Sequence, residues 1–148
     1  MDIFTVSLFG HREVDDWKRV NDRLFSIVDE LLKTQSYTTF LVGRNGEFDR
    51  LAASVIKNVQ KIRGLENSDI SLVLPYAVAD LPYYEKYYDN IIVPESLHGA
   101  HPKAAITLKN RWAIDRSDLV VVYAERNVGG AYAAMKYAQK QNKPIIKL

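Results

Sequence analysis

The sequence predicts an α/β protein, a Rossmann-like three-layer sandwich with a mostly parallel central sheet. Three observations carry that prediction. Short apolar runs alternate with helical stripes along the whole chain. The runs Ile3 to Phe9, Phe40 to Val42 and Leu119 to Tyr123 are apolar with little polar alternation, the pattern of strands buried on both faces. Each of these runs leads into a glycine-bearing turn and then a helical stretch: Gly10-His11-Arg12, Gly43 to Asp49 and Gly129-Gly130. In a parallel sheet such junctions open on one edge, the carboxyl edge, where ligands bind.

The elements follow in order. Ile3 to Phe9 is the first strand. Val14, Trp17, Val20, Leu24, Ile27, Val28 and Leu31 recur at helical spacing, with Glu13, Asp15 and Asp16 expected at the favourable, N-terminal end. Tyr37 to Val42 is the second strand. Phe48, Leu51, Ala52, Val55, Ile56, Val59 and Ile62 form the next helical stripe, ended by Gly64. Ile70 to Leu74 is a third strand, stopped by Pro75. From Tyr76 to Pro102, with Pro82, Pro94 and Gly99, the pattern is irregular apart from a short strand at Ile91 to Val93. A helix from about Lys103 to Arg116 offers Ile106, Leu108, Trp112 and Ala113 as core contacts. Leu119 to Tyr123, a helix from Ala131 to Lys140, and Pro144 to Leu148 complete the alternation.

Composition narrows the function. At 148 residues a single domain spanning 1–148 is expected. The 47% hydrophobic and 26% charged content is that of an ordinary globular chain. A formal net charge of +2, with no basic run, counts against nucleic acid as a partner. The absence of cysteine excludes disulfides, thiolate metal sites and cysteine nucleophiles. His98 and His101 lack further ligands, so no metal and no cofactor are expected. No membrane-spanning run and no signal core are visible, which gives a cytoplasmic protein as the expectation. Tyr83, Tyr84, Tyr87 and Tyr88 form the one local bias; they suit a lid or base stacking, or a subunit contact in a homodimer or higher homo-oligomer.

The junctions supply the candidate site. Gly10, His11 and Arg12 bring a turn, an imidazole and a guanidinium to one strand end; Arg12 either grips a phosphate or is simply solvated. Gly43, Arg44, Asn45 and Gly46 form a turn before a helix that opens with Glu47 and Asp49. Asp49 can accept from a ligand hydroxyl or serve only the helix dipole, and Glu47 and Asp49 are the candidate catalytic carboxylates. Arg111 either reaches the carboxyl edge or pairs with Asp115 one turn on. Gly129 and Gly130 open a helix start suited to phosphate approach.

Read together, these segments resemble the SLOG superfamily, the Rossmann-like group that includes the LOG (lysine-decarboxylase-like) proteins and the DNA-processing protein A fold, and most of all its DUF1273, YpsA/YspA-like branch. The matching pieces are Gly10-His11-Arg12, Gly43 to Ala53, Leu74-Pro75-Tyr76, Asn110 to Asp118, and Gly129-Gly130-Ala131 with Lys136-Tyr137-Ala138. The resemblance implies a nucleotide or nucleotide-derived ligand at the carboxyl edge. Arg111 matches the arginine of the LOG motif. The nucleotide-cleaving LOG enzymes carry Pro-Gly-Gly-x-Gly-Thr-x-x-Glu, whereas here Tyr132, Ala133 and Lys136 stand at the later Gly, Thr and Glu positions. Binding of a nucleotide-like small molecule is therefore the main expectation. N-glycosidic hydrolysis or transfer is one alternative, and a nucleic-acid-binding module is the second.

Overall fold

The computed structural model describes residues 2–148. Its strands and helices are β1 (Ile3–Gly10), α1 (Trp17–Thr34), β2 (Tyr37–Val42), α2 (Glu47–Arg63), β3 (Ser68–Val73), α3 (Leu81–Tyr87), β4 (Asn90–Ile92), α4 (Pro102–Asp115), β5 (Leu119–Tyr123), α5 (Gly129–Lys140) and β6 (Ile145–Lys147). They build one six-stranded sheet in the order β4-β3-β2-β1-β5-β6. Every neighbouring pair is parallel, with Val6 opposite Phe40 on one side and Leu119 on the other.

The apolar strands are buried on both faces, and their two-residue period divides the core. Val6, Leu8, Phe40, Val42, Val121 and Tyr123 pack with Val20, Leu24 and Val28 of α1 and Phe48, Val55 and Ile56 of α2. Phe9, Leu41, Val73, Val120 and Val122 face the other way, onto Ala113 and Ile114 of α4 and Ala134, Met135 and Ala138 of α5. Helices therefore cover both faces, as the alternating pattern predicted.

Chain direction places a crevice. From β1 the chain moves through α1 to β2, and from β5 through α5 to β6, on the opposite side. The connections diverge between β1 and β5, which is the topological switch point where ligands enter α/β sheets.

Two local expectations are corrected. Glu13, Asp15 and Asp16 do not form the first turn of α1, which starts at Trp17 and has no acid there. The backbone N–H of Val14 donates to Glu47 Oε2 (2.9 Å), and that of Asp15 to the Tyr123 hydroxyl (3.0 Å), so this stretch is tied down as a loop. The irregular stretch after Pro75 contains α3, whose Pro82 lies in the first turn, where its missing N–H costs nothing. No α3 side chain is buried, so it has no apolar stripe to betray it.

Candidate functional site

A cleft of about 470 Å³ opens at the switch point. It is lined by Gly10 at the end of β1 with His11 and Arg12 after it, by Gly43, Asn45 and Asp49 around the start of α2, and by Arg126, Gly129 and Gly130 before and within the first turn of α5. Ile106, Lys109 and Asn110 of α4 complete the wall. The three glycine junctions thus meet at one edge of the sheet.

The first two junctions are bolted together. The Glu47 N–H donates to the Arg12 carbonyl (2.8 Å), while Glu47 Oε2 takes the Val14 N–H. Glu47, a candidate catalytic carboxylate, is thereby a loop fastener and does not line the cleft. A Cβ on Gly10 would lie 2.1 Å from Phe48 Cγ, and one on Gly46 would lie 2.6 Å from Arg12 Cα. These glycines are required by packing of one junction on the other. Gly46 is accordingly absent from the cleft wall. Gly129 and Gly130 differ: a Cβ at either meets nothing within 4 Å, and Gly129 holds φ +91, where L side chains are strained. Their open backbone marks the start of α5 as the place where an anion can approach closely.

Lys109 is the residue that the sequence reading passed over. It is 6% exposed, yet it lines the cleft. On α4 it lies between Ala105 and Ala113, four residues from each, in the row that α4 buries against the rest of the fold. An ammonium interrupting such an i,i+4 row is the signal that could have found it. A Cβ at Gly43 would touch both Asp49 Oδ2 (3.0 Å) and Lys109 Nζ (3.3 Å), so the bare glycine leaves room for the two charged groups side by side. Burial pushes the Lys109 ammonium below its ordinary value, with Asp49 opposing that shift and Arg44 adding to it. Burial likewise raises Asp49, against the hydrogen bond from the Asn45 N–H (2.7 Å) and the charge of Lys109. Both groups are desolvated, and Lys109 makes no hydrogen bond among the described residues. The buried Asn110 Oδ1, on the same wall, also lacks a partner.

His11 lines the cleft while remaining buried. It stands edge-on to Tyr123 (5.7 Å between centroids), and its Nε2 accepts the Arg126 N–H (3.1 Å). Burial, then the Arg126 charge, holds it below the usual histidine value. The neutral ring anchors the loop that brings Arg126 to the cleft.

Two expected site residues lie elsewhere. Arg111 does not line the cleft; its guanidinium sits 4.9 Å from the centre of the Tyr137 ring. Two residues turn a helix by about 200°, so with Lys109 facing inward Arg111 must face out. Asp115 accepts the Tyr137 hydroxyl (2.7 Å). Arg44 turns to a second cavity, where Nη1 donates to the Tyr84 hydroxyl (3.2 Å). Lys136, at the LOG glutamate position, is exposed and lies 5.5 Å from the centre of the Tyr132 ring. Among the described residues no group of acids and histidines could hold a metal ion, and no helix is long and apolar enough to cross a membrane.

The fold defines a Rossmann-like α/β protein with a cleft at the carboxyl edge of its sheet, at the switch point. Among solved structures it is similar to DNA processing protein A from Helicobacter pylori, described in its single-stranded DNA binding mode, with TM-score 0.66 and 17% identity. It is also similar to DNA processing protein A from Streptococcus pneumoniae, with TM-score 0.68 and 13% identity. The alignments cover 97% and 98% of this chain but only 64% and 50% of those proteins. These neighbours are SLOG-type Rossmannoid folds. By sequence, neither a protein-family profile nor a curated protein matches the chain.

The neighbours correct two expectations. Nucleic acid was set aside as a partner on net charge, and a nucleotide-like small molecule was preferred. The Helicobacter pylori neighbour is described as binding single-stranded DNA, which favours the nucleic-acid alternative over the small-molecule reading. The physical reason is that net charge sums over the whole surface, whereas a strand responds to local charge. Arg12, Lys109 and Arg126 gather at one cleft although the chain as a whole carries only +2.

Proposed function

We propose that this chain binds single-stranded nucleic acid through its phosphate backbone, in the cleft at the carboxyl edge. The observation that carries the reading is Lys109, a largely desolvated ammonium that makes no hydrogen bond among the described residues, set between glycine junctions. A buried cation is costly unless it meets an anion or acceptor. A backbone phosphate supplies both, and Asn110 offers its amide beside it. The open N–H groups of Gly129 and Gly130 add donors at the positive end of α5. Arg12 and Arg126, exposed at the rim, meet neighbouring phosphates as planar forks. Asp49 sets the limit on anion charge: it lines the same cleft, and burial raises its pKa. Placement in the DUF1273 branch, a single domain over 1–148 and a cytoplasmic setting belong to this same reading.

The test is fluorescence anisotropy of a labelled oligothymidylate of about 20 nucleotides, titrated at several salt concentrations. Binding that weakens linearly in log–log form with salt, and survives an excess of duplex competitor, is the expected result. No binding at about 10 μM protein and about 50 mM salt would overturn it, because even non-specific contact reaches that range.

A further inference from the structure

The wall of the cleft has a second side. Gly43, Asn45 and Asp49 line the cleft, while their chain neighbours Arg44 and Arg50 line a separate cavity of about 320 Å³. The rest of that cavity is formed by Ala53 of α2 and by Tyr83, Tyr84, Tyr87 and Tyr88, in and just after α3. The two cavities therefore share the β2–α2 junction as a partition.

Tyr88 packs against the core on the α1–α2 side of the sheet, but Tyr83, Tyr84 and Tyr87 belong to neither half of the core. α3 buries none of its residues, and Tyr83 is 70% exposed. Tyr83 meets Tyr84 edge-on (5.4 Å, 80°), and Tyr87 meets Tyr88 edge-on (4.9 Å, 69°). In an edge-to-face pair the ring that presents its edge keeps both faces free of its partner, unlike either ring of a stacked pair. Cations accompany the rings: Arg44 lies 5.6 Å from the Tyr84 centroid and Lys57 lies 4.2 Å from that of Tyr87. Arg44 Nε is buried with no hydrogen-bond partner among the described residues, so this planar cation is held with a donor still unused. Open aromatic faces among cations are the chemistry that receives unpaired bases while tolerating their phosphates.

We propose that the tyrosine cavity is a stacking site for unpaired bases of the same strand whose phosphates lie in the cleft. The proposal rests on the single-strand reading above and extends it by one subsite. The shared partition makes the two engagements adjacent: a strand crossing the β2–α2 junction presents a phosphate on one side and a base on the other. A fully paired duplex has no free base face to offer, so the subsite selects single strands.

The experiment compares an oligothymidylate with a strand of the same length made of abasic sites, which keeps the phosphates and removes the bases. The wild-type chain should bind the base-bearing strand on the order of tenfold more tightly. Tyr83→Leu/Tyr87→Leu should erase that preference and leave abasic binding unchanged; the single variant Tyr83→Leu should reduce it with the least risk to folding. Lys109→Met should weaken both strands alike. Equal wild-type affinity for the two strands would overturn the stacking site and leave the cleft reading intact. Failure of both strands to bind would overturn both readings. Light scattering provides the rival outcome: if the double variant converts a dimer to a monomer while the base preference persists, the tyrosines form a subunit contact and the proposal falls.

Discussion

Lys109→Met isolates the charge on which the single-strand reading depends. Methionine keeps a flexible, unbranched chain of similar length in the row between Ala105 and Ala113, and removes only the ammonium. Lys109 is 6% exposed and makes no hydrogen bond within the described protein, so a phosphate contact would be a charge-assisted bond formed away from bulk water. Loss of such a bond is worth about 1.5–3 kcal/mol, or roughly ten- to a hundredfold in affinity. The slope of log affinity against log salt should become shallower by about 0.7–1, for one phosphate released. Stability should change little. The variant removes a buried charge that is costly by itself, and also removes the neighbour that favours ionised Asp49. With these effects opposed, the melting temperature should stay within about 3 °C, which for a chain of this size is about 1 kcal/mol. The sign of the pH response follows from burial. The free protein holds Lys109 below its ordinary value of 10.5, whereas a bound phosphate favours the protonated form. The complex then binds more protons than its free parts, and wild-type affinity falls as pH rises through the lowered value. The variant should lack that alkaline loss. Anisotropy titrations at several salt concentrations and pH values, beside a thermal melt, read all of these quantities. A folded Lys109→Met protein with unchanged affinity and unchanged salt slope would refute the reasoning.

Gly10→Ala and Gly130→Ala should separate glycines needed for packing from glycines that leave room for a ligand. The first places a Cβ 2.1 Å from Phe48 Cγ and should destabilise by about 1–3 kcal/mol, or roughly 3–10 °C, whereas the second meets open space and should melt normally while binding DNA more weakly. Equal melting temperatures would contradict the packing account of Gly10. His11 is held below the ordinary 6.5, so its contribution to stability is fully present above that value and is lost as pH falls through the folded one; chemical denaturation between neutral and mildly acidic pH should show the loss, and His11→Gln should flatten it. An NMR titration placing His11 above 6.5 would refute this. Arg111→Ala removes a cation–π contact with Tyr137 on the outer side of α4 and should cost about 0.5–1 kcal/mol of stability without changing strand affinity. A tenfold loss of DNA binding in that variant would return Arg111 to the site.

What this sequence determines by itself is the architecture and the edge at which a ligand enters. Continuous apolar runs such as Leu119 to Tyr123, short and rich in valine, read as strands covered on both faces, and the stripes of α1 and α2 fit helices lying on them. Parallel strands then force every following turn to the same edge, so the meeting of Gly10, Gly43 and Gly129 was legible before any coordinates. The tertiary structure decided the rest, because each remaining point depends on residues distant in the chain. Gly10 and Gly46 are glycines because of Phe48 and Arg12, a fact of packing with no local signature. Lys109 became the central cation, and Arg111 an outer one, through the rotation of α4 about its axis, which a helix of mixed polarity leaves open to sequence reading. α3 escaped notice because its tyrosines pack on one another and on Arg44 and Lys57, not on the core, so no periodic burial marks it. The preferred ligand was misjudged for a related reason: total charge is a property of composition, whereas the field that a nucleic-acid strand meets is set by which charges the fold brings together.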